Sequence, residues 1–219
     1  MNEVTILLTL ATVHFLALMS PGPDFALVVQ NATRYGRQTG SYIALGLSFG
    51  ILTHSILSLT GVSYLVQQQP MLFALLQLAG GSYLLYLGLS ALKGLLRSRP
   101  SSETYDGKRE TQNPIQSKRH AFSRGFATNI LNPKALIFFV SLMSSLVPAT
   151  MSLTGKGIAL LILFGLSLLW FSLLAWVLSA KTMQKRLYAI TPYIDGICGV
   201  LFVLLGGSIF WQSLLALTQ

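Results

Sequence analysis

The sequence predicts an all-α integral membrane protein, with six transmembrane helices forming two inverted three-helix repeats and with helices 1 and 4 broken at proline motifs. Three observations lead there. Of 219 residues 53% are apolar and only 10% charged, where a soluble domain carries about 25% charged residues. No Asp, Glu, Lys or Arg occurs between Arg37 and Lys93. Two polar strings with prolines, Ser20-Pro21-Gly22-Pro23-Asp24 and Asn132-Pro133-Lys134, interrupt otherwise apolar segments.

Further uncharged runs cover Val4 to Pro23, Ala135 to Gly155, Gly157 to Ala180 and Gly196 to Gln219, each near the roughly 20 residues that cross a bilayer's hydrocarbon. These spans must be helices, because an isolated strand would leave backbone groups unpaired in lipid. Span one is expected over residues 4–32. Glu3, the lack of a basic n-region and the lack of a small-residue cleavage site make it a retained span, not a signal peptide. The block from Gln38 to Leu92 is too long for one crossing and turns back at Gln67-Gln68-Gln69-Pro70, giving spans two and three over 40–66 and 71–95. Lys93 to Arg124 holds eight of the fifteen basic residues and three of the six acids among Ser, Gly and Pro, the composition of a flexible connector. Spans four, five and six follow over 121–147, 156–180 and 193–216. The chain therefore divides into a first repeat, 1–96, a basic cytoplasmic linker, 97–120, and a second repeat, 121–219.

Lys and Arg set the orientation, since short basic loops stay on the cytoplasmic side. The connectors after spans one, three and five hold thirteen of the fifteen basic residues, whereas the opposite side shows only Lys156. Both termini are thus expected to face outward, away from the cytoplasm. This topology, with anionic lipid headgroups as partners, accounts for the pI near 9.9. Lys118, Arg119 and His120 lack interleaved aromatics, so nucleic acid is not an expected partner. Three spans per half force the halves into opposite orientations, the arithmetic of an inverted repeat. A glycine pair seven residues apart recurs in spans three and six, Gly81 with Gly88 and Gly199 with Gly206, although glycine also serves ordinary helix packing.

Proline has no amide hydrogen and its ring clashes one turn back, so the two strings should break or kink spans one and four. Freed backbone groups in a membrane must face protein or a wet cavity; half-helix amino termini attract anions and freed carbonyls attract cations. A zwitterion needs both. The candidate substrate-binding residues are accordingly Ser20, Pro21, Gly22, Pro23, Asp24, Asn129, Asn132, Pro133 and Lys134. A charge at membrane depth costs at least about 2.5–3.5 kcal/mol on insertion scales and generally marks a pathway. Asp24 fits a substrate ammonium or a coupling proton. Lys134 fits a carboxylate, a salt bridge to Asp24, or snorkelling to the interface. His54, in mid-span, is a second proton-coupling candidate or a hydrogen-bonded packing histidine; His14 reads as packing. Asp195 reads as a helix cap at the start of span six, in preference to a pair with Arg186, and Gln30 and Asn31 as either the inner mouth of a pathway or interfacial residues.

Enzymatic chemistry is hard to assemble: the HExxH, GxSxG and Walker-type strings are missing and the three histidines sit in different segments. Cys198 is the sole cysteine, so an internal disulfide and a cysteine metal motif are excluded. No metal site and no cofactor is expected. The expected partners are a small amino acid, protons and membrane lipids, with room for a homodimer. The bland alternative is a non-transporting membrane scaffold whose prolines only shape the bundle.

The string Ala17-Leu18-Met19-Ser20-Pro21-Gly22-Pro23-Asp24, with Asn129-Ile130-Leu131-Asn132-Pro133-Lys134-Ala135, resembles the LysE/RhtB superfamily of bacterial amino-acid exporters. So do Gly80-Gly81-x-Tyr83-Leu84-x-Tyr86-x-Gly88 and Ile194-Asp195-Gly196-x-x-Gly199-x-Leu201-Phe202. The likeness extends over essentially the whole chain and is greatest to the threonine/homoserine efflux branch. It implies a permease exporting an amino acid in exchange for protons, with threonine, homoserine or another amino acid such as lysine as substrate and the site on the broken spans.

Overall fold

The computed structural model describes residues 2–20, 22–68, 70–96, 117–177 and 181–218, and within them every regular element is an α-helix. In chain order these are α1 (Glu3–Met19), α2 (Pro23–Tyr35), α3 (Arg37–Gln68), α4 (Pro70–Leu96), α5 (Lys118–Ile130), α6 (Pro133–Leu146), α7 (Leu153–Val177) and α8 (Lys181–Thr218). Three of them contain stretches long and apolar enough to cross a bilayer, Arg37–Gly61, Leu153–Val177 and Gly196–Leu215, or five spans result if each bent pair counts as one.

The bent pairs fall at the proline strings. α1 and α2 meet at 57°, α5 and α6 at 62°. Ser20 ends α1 in an extended conformation, and Pro23 opens α2 as its first residue. Pro133 opens α6 in the same way, after an Asn132 whose side chain caps the helix. Proline suits the first helical position, where its missing N–H has no intrahelical partner to lose. A second reversal, between α2 and α3, takes a single residue: Gly36 at φ +87°, a left-handed conformation that favours glycine.

Two boundaries differ from the sequence expectation. α5 begins at Lys118, inside the expected linker, because Ser117 accepts a hydrogen bond from the His120 amide at 3.2 Å and caps the helix. α8 begins at Lys181, so Asp195 lies in a helix interior and cannot be its amino-terminal cap. The side chains of Asp195 and Arg186, most of the linker (97–116), Pro21 and Gln69 lie outside the described residues. The turn expected at 67–70 falls where α3 gives way to α4.

Helix packing relies on small residues. α4 runs along α8, and α3 lies against α5 and α7. A methyl group on Gly46 would run into the Phe122 carbonyl oxygen, and one on Gly125 into the Ile43 carbonyl oxygen, so the α3 and α5 backbones touch. In the α4–α8 contact the two glycine pairs face each other: a Cβ on Gly81 would lie 3.1 Å from the Gly206 oxygen, and one on Gly88 2.6 Å from the Gly199 oxygen. The outer surface carries Leu8, Leu161, Leu169 and Leu204, all mostly exposed, as expected of side chains facing lipid. At one end of the bundle Arg37 lies 5.1 Å over the Trp176 ring and Lys118 5.5 Å over Tyr42. At the other, Glu3 accepts hydrogen bonds from Ser152 N at 2.8 Å and Ser152 Oγ at 2.9 Å.

Candidate functional site

A cavity of about 90 Å³ lies where the two breaks meet, large enough for several waters. From the first break it is lined by Ser20, Gly22, Pro23 and Asp24, and from the second by Asn129, Asn132 and Lys134. The rest of its wall is largely aromatic, with Phe138 and Phe139 of α6, Phe171 of α7 and Phe202 of α8. Pro21 and the Pro133 side chain, also put forward from the sequence, lie outside the described residues.

The breaks are joined by side chains. Asn129 Nδ2 donates to Asp24 Oδ2 at 2.6 Å, linking positions 105 residues apart. The Asn129 carbonyl in turn pairs with His54 Nε2 at 3.1 Å. A carbonyl only accepts, so Nε2 is the donor. That ring lies nearly parallel to Phe139, at 6.2 Å between centroids. Gly50 makes the arrangement fit, since a Cβ there would lie 2.7 Å from Asn129 Oδ1. On the other side, Asn132 Oδ1 accepts from the Lys134 amide at 3.0 Å. His54 and Lys134 both act electrostatically on the Asp24 carboxyl. His54 itself is not part of the cavity lining; it reaches the site through Asn129.

What these groups leave unfilled is informative. Asp24 Oδ1 and Asn129 Oδ1, both on residues that line the cavity, are buried without a hydrogen-bond partner, and both are acceptors. A rim rich in acceptors and facing two half-helix amino termini suits a ligand that brings N–H donors together with a negative group. Among the described residues no group of three or more His, Cys, Asp or Glu could hold a metal ion.

The sequence anticipates none of the apolar wall and misses one polar lining residue. His14, read as packing, is almost fully buried in the cavity wall. Its partner Ser167 is 153 residues away, and no local pattern announces that meeting. Gln30 and Asn31 do not line the cavity; Asn31 Nδ2 donates to its own helix at the Leu27 carbonyl, 2.7 Å away.

A multi-pass helical protein with two broken helices around a small polar cavity has the build of a membrane translocator. Comparison with known proteins agrees: the family model of the LysE type translocator matches residues 15–213, and the chain belongs to that family. The threonine efflux protein of Escherichia coli K12 is 33% identical over 196 residues, covering 89% of this chain and 92% of that protein. That of Salmonella typhi is 30% identical over 195 residues, 89% and 92% of the two chains. An uncharacterized membrane protein of Haemophilus influenzae is 29% identical over 201 residues, 91% of this chain and 93% of the other. No solved structure matches. The protein is a transporter, not an enzyme.

Proposed function

We propose that this translocator exports a small amino acid of the threonine or homoserine type across the bacterial inner membrane, exchanging it for protons by alternating access. The observation that carries the reading is the Asn129–Asp24 hydrogen bond, 2.6 Å long, which ties both helix breaks to one cavity. The threonine efflux relatives supply the substrate class.

In this reading Asp24 is the pivot. Its carboxylate holds either the substrate ammonium or a proton, and because it cannot hold both, loading one expels the other. That competition is the coupling. Lys134 and the amides opening α2 and α6 meet the substrate carboxylate, Ser20, Asn129 and Asn132 add neutral hydrogen bonds, and Gly22 lets the backbone approach closely. Pro21, Pro23 and Pro133 keep the breaks open, and His54, which bonds the Asn129 carbonyl, is the second proton-coupling candidate.

Two halves, 1–96 and 121–219, rock against each other as inverted repeats on either side of the basic linker 97–120. The glycine contacts support this. If Gly81 corresponds to Gly199 and Gly88 to Gly206, a two-fold axis turns a Gly81–Gly206 contact into a Gly88–Gly199 contact, and both contacts are present. The clustering of Arg37 and Lys118 at one end of the bundle, away from Glu3 and Ser152, supports a cytoplasmic basic face with periplasmic termini. The test is counterflow in proteoliposomes loaded with L-threonine. Accumulation of labelled threonine, enhanced when a pH gradient is imposed, is the expected result; no exchange with or without the gradient sinks the proposal.

A further inference from the structure

One polar side chain in the cavity wall has no part in the reading above. His14 stands on α1 six residues before Ser20, about 9 Å along the helix axis from the break. It is 1% exposed and lines the cavity.

A chain of hydrogen bonds sets its tautomer. Ser167 Oγ gives its only proton to the Leu163 carbonyl at 2.6 Å. Toward His14 Nε2, 2.8 Å away, that hydroxyl can then only accept. Nε2 therefore carries the ring proton, and Nδ1 of the neutral imidazole is a bare acceptor. Nδ1 is buried and has no hydrogen-bond partner. Its surroundings are apolar, with the Phe139 ring 5.6 Å from its own and Leu18, Phe138 and Phe202 in the same wall. A buried acceptor left unfilled is unfavourable, so this end of the cavity favours a ligand that brings a neutral donor.

We propose that His14 determines specificity: its Nδ1 accepts the side-chain hydroxyl of the transported amino acid while the ammonium and carboxylate are held at the breaks. The inference rests on the export reading and adds the residue that recognises the side-chain hydroxyl of its substrate. A neutral imidazole among aromatic rings is a poor partner for a full charge, which goes to Asp24. It is a good partner for a hydroxyl. Valine, which carries a methyl group where threonine carries the hydroxyl, leaves Nδ1 unfilled.

The experiment compares counterflow of L-threonine and L-valine in proteoliposomes for the wild type, His14→Leu and His14→Asn. Leucine offers no acceptor, whereas the asparagine oxygen reaches the position of Nδ1. The wild type should prefer threonine. His14→Leu should reduce that preference by about 2- to 10-fold, the worth of one neutral hydrogen bond, with threonine exchange slowed more than valine exchange. His14→Asn should keep most of the preference. On the wild type, the ¹⁵N spectrum of the His14 ring should show an unprotonated Nδ1 that shifts when threonine is added and not when valine is. This readout decides if His14→Leu does not fold. Threonine exchange with the same preference in His14→Leu, or no threonine-dependent shift at Nδ1, overturns the role of His14 and leaves export standing. No exchange of any amino acid overturns both.

Discussion

Replacing Asp24 with Asn removes a charge and almost nothing else. Asp24 Oδ2 now accepts from Asn129 Nδ2 at 2.6 Å, and the new amide can turn its oxygen to the same donor. The link between the breaks survives as a neutral bond, weaker by about 1 kcal/mol than a charge-assisted one. A loss of that size lowers the melting temperature of a 219-residue chain by about 2–4 °C. Transport suffers far more. A substrate ammonium loses a charged hydrogen bond worth about 1.5–3 kcal/mol, which weakens half-saturation roughly 10- to 150-fold, and no group remains at the pivot to carry a proton. Counterflow against threonine concentration, with and without a pH gradient, measures both effects on protein shown to be folded by its melting curve. Asp24→Asn protein with unchanged half-saturation and an unchanged gradient response would refute the reasoning. Asn129→Leu gives the complementary result: it strands Asp24 Oδ2 without its donor, costing about 1–3 kcal/mol or more, so stability falls further than with Asp24→Asn.

Two other predictions concern assembly. Gly125→Ala pushes a methyl group into the Ile43 carbonyl and should cost about 1–3 kcal/mol by overpacking, whereas Gly165→Ala, with nothing within 4 Å of its Cβ position, should be neutral or stabilising by up to about 1 kcal/mol; thermal unfolding in detergent compares them. Glu3→Ala removes the acceptor of both hydrogen bonds between the start of α1 and the residue before α7, whereas Ser152→Ala keeps the backbone bond and loses the hydroxyl one together with the cap on the Gly155 amide. Each should lower the melting temperature, and the double variant by less than the sum of the two, since the hydroxyl bond is common to both.

Which parts of this architecture could be read in advance follows from how local their causes are. A proline acts on its own turn, so both helix breaks are written in the strings around Pro23 and Pro133 and fall where the strings place them. Composition alone dictates helices. The site is different, because its bonds join distant positions. Asp24 and Asn129 are each visible as polar residues beside a break, yet nothing local says that they bond to each other, or that His54 bonds the Asn129 carbonyl. The orientation of His14 depends on Ser167 and Leu163 of α7, so a lone histidine on an apolar face looked like packing. Helix ends at the basic clusters were misjudged for another reason. Positive charge governs which side of the membrane a loop occupies and does not stop a helix, so α5 and α8 run on into residues expected to be connectors.

If the two breaks together form one substrate-binding cavity, hydrogen–deuterium exchange of the protein in lipid nanodiscs, with and without L-threonine, registers both at once. Amide exchange should be fast at residues 20–25 and 129–134 relative to the interior of α7, and slowed in both segments together when threonine is added. Exchange as slow there as in α7, with no response to threonine in either segment, would contradict a shared cavity.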